Sequence, residues 1–238
     1  MKLNPFNAQR LELENWQNFK VFEALTEQLI DAASDDFITH GELKWLREAK
    51  TACMFGKVAQ ATRARLIADD KQKADCEIVF GRGSHLRFQI AEVVERNRRR
   101  TKDYRRWIEV GRPPIFHQGD PSANWVSIIP ALRQVILDKV VISYPAGTSL
   151  LLYFNIATYG CWDEQVESAF IECTEIGRSK FASIWVLWGQ RLLRCWPEPF
   201  KPSDTDLRPG RHELGRALRS YENSRLLNGL FASDRVRI

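Results

Sequence analysis

The chain has 238 residues, 44% of them apolar and 27% charged, a composition that builds a sizeable globular core and excludes a low-complexity or disordered chain. Its net charge of +5 and pI near 9.0 lean toward a polyanionic partner. No apolar run reaches the roughly 20 residues a membrane helix needs. The five cysteines are scattered with no CxxC pair, which argues against a disulfide framework or a cysteine zinc site. Together with the lack of a signal-peptide core in "MKLNPFNAQRLELENW", this predicts a cytoplasmic protein with reduced, packed thiols.

In chain order, Trp16, Phe19, Phe22, Leu25 and Leu29 recur at helical steps and predict an amphipathic helix from about Leu11 to Ala33. Thr39 followed by Glu42 reads as a capping box for a second helix. Leu43, Leu46, Ala49 and Cys53 form the buried stripe of that helix, which is expected to run on toward Ile67. Residues 1–72 are thus read as a helical N-terminal region packed on a core. From Lys73 the character changes. Cys76–Phe80 and His85–Val94 are rich in strand formers and flank Gly81-Arg82-Gly83-Ser84, a hairpin turn. "SANWVSIIPALRQVILDKV" predicts a helix with Pro130 tolerated only near its first turn. "LLLYFNI" reads as a strand covered on both faces, and the helix before it suggests a crossover to a parallel neighbour. A helix from Asp163 to about Ile176 and a hairpin turning near Gly189-Gln190 complete an α/β core over residues 73–197. Residues 198–238 read as a proline-rich linker and a helical tail. The expected fold is a mixed sheet with a central β-hairpin and flanking helices.

Alternation along a strand puts Asp75 and Glu77 on one face, and hairpin pairing brings Asp75 toward Glu92. Carboxylates that converge repel one another, and a divalent cation neutralises them. Magnesium suits such a place because it needs only one or two carboxylates and takes phosphate oxygens and water for the rest. Immediately downstream, Arg96, Arg98, Arg99, Arg100, Lys102, Arg105, Arg106 and Arg112 stand against two acids, with Tyr104 and Trp107 interleaved. That window fits contact with a nucleic-acid backbone. The competing reading is a charged sheet edge that resists aggregation, followed by a solvated basic helix face. The four histidines have no metal-ligand spacing. "GRGSHL" is neither a nucleophile elbow nor a P-loop.

At these residues the sequence resembles the PD-(D/E)xK nuclease superfamily. Lys73-Ala74-Asp75 stands at the proline-aspartate position, with alanine replacing proline. Gln89-Ile90-Ala91 stands at the acid-x-lysine position, with Glu92 immediately beyond. The resemblance covers roughly Lys73 to Ile156. It implies a nuclease-like core and a magnesium site held by Asp75 and Glu92, with Gln89 as a weak ligand or water-positioner. Lys139 from the following helix would replace the missing lysine. Arg98, Arg99, Arg100, Lys102, Arg105 and Arg106 would grip phosphate. The function implied is nucleic-acid binding (DNA or RNA), extended to magnesium-dependent phosphodiester hydrolysis. The alternative is a catalytically inactive nuclease-like protein that docks a macromolecule through its basic face or its C-terminal helix.

Overall fold

A computed structural model describes residues 6–67, 73–80, 83–94, 102, 105, 121–155 and 164–197. The chain divides into two units, Met1–Lys201 and Pro202–Ile238. The second unit, with the expected C-terminal helix, lies outside the described residues, as does the basic window apart from Lys102 and Arg105.

The first unit is an α/β structure built on a seven-stranded mixed sheet whose spatial order follows the chain. Helix α1 (Asn7–Leu13), a two-residue strand β1 (Gln17–Asn18) and helix α2 (Phe19–Ala33) replace the single N-terminal helix expected from the periodicity. The break is local chemistry. The Asn18 side chain accepts from Lys20 N and caps α2, so the backbone at 17–18 stays extended. The predicted capping box does not form, because Thr39 Oγ1 donates to Asp35 O within the short helix α3 (Asp36–Thr39). A 3-10 turn at Gly41–Leu43 then leads into α4 (Lys44–Val58). This helix stops at Val58 and does not run on to Ile67. Gln60 takes a positive φ of 54°, and the chain returns as strand β2 (Ala61–Leu66). The sheet therefore takes strands from the region expected to be wholly helical.

Strands β3 (Cys76–Phe80) and β4 (Ser84–Val93) form the predicted antiparallel hairpin. Helix α5 (Pro121–Val140) carries Pro130 in its interior, not in its first turn. It leads to β5 (Thr148–Phe154), which pairs parallel to β4 as the crossover argument requires. Helix α6 (Glu164–Thr174) is followed by the hairpin β6 (Ile184–Trp188) and β7 (Arg191–Trp196), joined at Gly189 with φ 60°.

Two apolar clusters sandwich the sheet. Phe22, Leu29, Leu46 and Phe55 of α2 and α4 pack on Cys76, Ile78, Phe88 and Leu151. Ile128, Leu132, Ile136 and Phe170 of α5 and α6 pack on Ala91, Val93, Leu150 and Leu152. The split of Leu150, Leu151 and Leu152 between the clusters is the period-two alternation of a strand buried on both faces. Gly56 lets α4 approach α2 closely, since a Cβ there would overlap the Phe19 ring. Cys53, Cys76, Cys173 and Cys195 are buried free thiols. No helix among the described residues is long and apolar enough to cross a membrane.

Candidate functional site

Where the start of α4, the entry to β3, the middle of β4 and the end of α5 meet, the surface opens into a cavity of about 560 Å3. Lys44, Glu48, Asp75, Gln89, Lys139 and Tyr144 are among the residues that line it. Each charged group arrives by a simple local rule. Lys44 and Glu48 are one helical turn apart on α4 and so share a face. Lys139 ends α5, where a cation is favoured by the helix dipole. Asp75 immediately precedes β3, where the sheet ladder gives way to the cavity.

Asp75 is held firmly. Its amide donates to Phe88 O at 2.8 Å and its carbonyl accepts from Ile67 N at 3.0 Å. Its Oδ2 accepts from Ile90 N at 2.6 Å and from Gln89 Nε2 at 2.5 Å. Gln89 Nε2 also donates to Ile90 O at 3.0 Å. The side-chain amide is therefore spent on orienting the carboxylate. Burial first, and the nearby Glu48 charge second, push Asp75 up to about 7, against the pull of the Ile90 amide, Lys44 and Lys139. A carboxylate that titrates near neutrality inside an open cavity is a functional-site signal.

Lys44 Nζ lies 2.8 Å from Glu48 Oε1. This ion pair gives the buried Glu48 oxygen a cationic partner from its own helix. For Lys139, burial pulls the ammonium below its usual range, and the attraction of Asp75 only partly offsets it. Tyr144 is driven the other way, up to about 12, by burial and then by Asp75. Its hydroxyl is buried and has no hydrogen-bond partner among the described residues.

The residues singled out from the sequence divide sharply. Asp75, Gln89 and Lys139 share the cavity. Glu92 does not. It lies three residues beyond Gln89 on β4, in the opposite phase of the strand, where it is exposed and accepts from Asn155 Nδ2 at 2.6 Å. The expected Asp75–Glu92 pair is thus not formed, and the carboxylate whose charge acts on Asp75 is Glu48. Sequence reasoning missed Glu48 because helical periodicity assigned α4 a packing role and left its half-buried polar positions unread. The i, i+4 spacing of Lys44 and Glu48 beside a buried stripe was the available signal. Glu77, expected to face the same way as Asp75, does share its strand phase, but it stands outside the cavity lining and is an ion-pair centre. Arg65 Nη2 lies 2.6 Å from its Oε2 and Arg87 Nη2 2.9 Å from its Oε1.

Among the described residues no group of three or more His, Cys, Asp or Glu is arranged to hold a metal ion. Four carboxylates line the cavity, Glu14, Glu42, Glu48 and Asp75; Glu48 is the one whose charge acts on Asp75, and magnesium takes one or two carboxylates from a protein. Lys102 and Arg105 are exposed and helical, whereas Arg98, Arg99, Arg100 and Arg106 lie outside the described residues. No protein-family model matches the chain, and neither a curated protein nor a solved structure is significantly similar to it.

Proposed function

We propose that this protein acts on nucleic-acid phosphodiesters with the help of magnesium, through a PD-(D/E)xK-like core whose site is the Asp75 cavity. The observation that carries the reading is the meeting of Asp75 and Glu48 in one cavity whose lining also includes Lys139. The run of α4, β2, β3, β4, α5 and β5, with three antiparallel strands followed by a parallel crossover, accords with the same resemblance. Asp75 sits at the superfamily's aspartate position and Gln89 at its acid position. Glu48 takes the carboxylate role expected of Glu92. Lys139 stands in for the lysine that Ala91 lacks.

A cation fits these residues on electrostatic grounds. Asp75 is raised to about 7 because burial and Glu48 disfavour its charge, and a divalent ion shared by the two carboxylates relieves both penalties. Magnesium held by Asp75 and Glu48 would supply Lewis acidity and make a water molecule a better nucleophile at neutral pH. The chain's own groups do the rest. Ile90 N and Gln89 Nε2 fix Asp75 Oδ2 and leave the other carboxylate oxygen for the cavity. Lys139 presents an ammonium whose depressed pKa suits it to hold or pass a proton near the reacting oxygen.

A second reading, binding without hydrolysis, is favoured by one specific feature. The position that carries an acid in the superfamily holds Gln89, whose amide is already committed to Asp75 and Ile90 O. One experiment separates the two. Purified protein is incubated with DNA and RNA in magnesium, manganese or chelator, beside the Asp75→Asn and Glu48→Gln variants. The hydrolytic reading requires metal-dependent cleavage that both variants lose while still binding. Binding with no cleavage under any metal refutes it and leaves the second reading.

A further inference from the structure

Beyond the cavity, one face of the sheet carries a cluster of charged side chains. Strand register places Arg65, Glu77 and Arg87 side by side across β2, β3 and β4, and Arg63, Val79 and His85 in the neighbouring row. Extending the β1–β2 register by one residue puts Trp16 opposite Arg65. These residues stand in the opposite strand phase to Ala64, Cys76, Ile78 and Phe88, which face α2 and α4. They therefore lie on the sheet's other face, outside the area that α5 and α6 cover with apolar contacts.

The cluster is built, not incidental. Glu77 has a side chain only 1% exposed, roofed by two guanidiniums that are 35% and 30% exposed. Arg65 Nε donates to Glu77 Oε2 at 2.7 Å and Arg87 Nε to Oε1 at 2.9 Å. Each guanidinium is thus gripped along one edge and keeps further N–H donors directed away from the carboxylate. The guanidinium carbons of Arg63 and Arg65 lie 5.1 and 5.0 Å from the Trp16 ring centroid. The His85 ring meets Trp16 edge-on at 5.5 Å. Three arginines stand against one carboxylate, so the face is net positive before His85 is counted. Their side chains are held in place ahead of any ligand, which lowers the ordering cost of binding. Arg87 and Gln89 are two residues apart on the same face of β4, roughly 7 Å at strand rise. The basic face therefore runs directly into the Asp75 cavity.

We propose that this face is the track on which a nucleic-acid backbone approaches the cavity, with Arg63, Arg65 and Arg87 contacting successive phosphates and Glu77 and Trp16 positioning them. This inference rests on the phosphodiester reading of the cavity for its direction, but binding can be tested without cleavage. Full-length protein is titrated with fluorescently labelled single-stranded DNA, single-stranded RNA and duplex DNA in chelator, across a range of salt concentrations. Arg63→Ala is the informative variant, because Arg63 is exposed and stacks on Trp16 without pairing to Glu77. One lost phosphate contact flattens the slope of log affinity against log salt by about 0.7–0.9, and weakens binding about four- to fivefold at about 150 mM salt. The Arg63→Ala, Arg87→Ala double variant should lose about twice the slope, and Arg63→Lys should retain it. Unchanged affinity and slope in the folded arginine variants overturns the track. So does a wild-type protein that binds none of the three probes. Cleavage by wild type with unaltered binding in the arginine variants sinks the track alone. Salt-sensitive binding that the variants weaken, without any cleavage, sinks only the hydrolytic reading.

Discussion

Replacing Asp75 with asparagine tests the electrostatics of the cavity directly. The folded carboxyl titrates near 7, against 3.8 for an unperturbed aspartate. As pH rises between those values, the unfolded chain gives up the Asp75 proton while the folded chain keeps it. The folded state then binds more protons, so this group's contribution to stability falls through the window and stays low above about 7. A displacement of that size corresponds to about 4 kcal/mol. Asp75 borders an open cavity and its titration is linked to that of Glu48, so about half of that, about 2 kcal/mol, is the expected relief in the variant. Asparagine is nearly isosteric and can still accept from Ile90 N, so the fold should survive. Asp75→Asn should therefore melt about 4–8 °C above wild type at pH 8, and the gap should close toward pH 4. Magnesium acts in the opposite sense. At about 10 mM it would stabilise wild type by about 1.4 kcal/mol if the site has a Kd of about 1 mM, and leave the variant unaffected. Thermal melts of both proteins from pH 4 to 8.5, with and without magnesium, measure all of this. A melting difference that does not change with pH would refute the claim that Asp75 is a buried, poorly compensated carboxylate.

Other expectations follow from the same geometry. Glu77 is pulled below its usual range because Arg65 and Arg87 outweigh its burial, so its ion pairs stabilise above about pH 4.5 and fade in acid. Glu77→Gln should cost about 2 kcal/mol at pH 7, less than a deep ion pair would because the two arginines are partly solvated, and much less at pH 3.5 in denaturant melts. Gly56→Ala should destabilise by about 2–3 kcal/mol through overlap with the buried Phe19 ring, read as a lower urea midpoint with unchanged m-value. In cleavage assays, Lys139→Ala should lower the rate at least about 100-fold, the scale of one lost acid–base group, while Glu92→Ala should stay within about twofold of wild type.

Much of the core was legible in one dimension because it rests on short-range rules. The alternation of Cys76–Phe80 and Ser84–Val93 about a glycine turn, the apolar run of β5 and the β6–β7 hairpin are each written within ten residues or so. Lys139 was singled out from its helix, and it lines the cavity with Asp75 and Gln89. Strand β2, "ATRARL", was not legible. Its outward positions are arginines whose pairing to Glu77 and stacking on Trp16 exist only once four strands are adjacent. Without those partners the segment reads as the end of a charged helix.

The sequence alone determined which segments alternate, which helices carry a buried stripe, and which loops turn on glycine, since backbone sterics and local burial set those features within a few residues. Which carboxylates meet was decided by the tertiary structure. A strand sends neighbouring side chains to opposite faces, so Glu92 is carried away from Asp75. A helix docked on the far layer brings Glu48 to Asp75 instead. Charge convergence depends on how layers stack, and no local pattern in the chain encodes that distance.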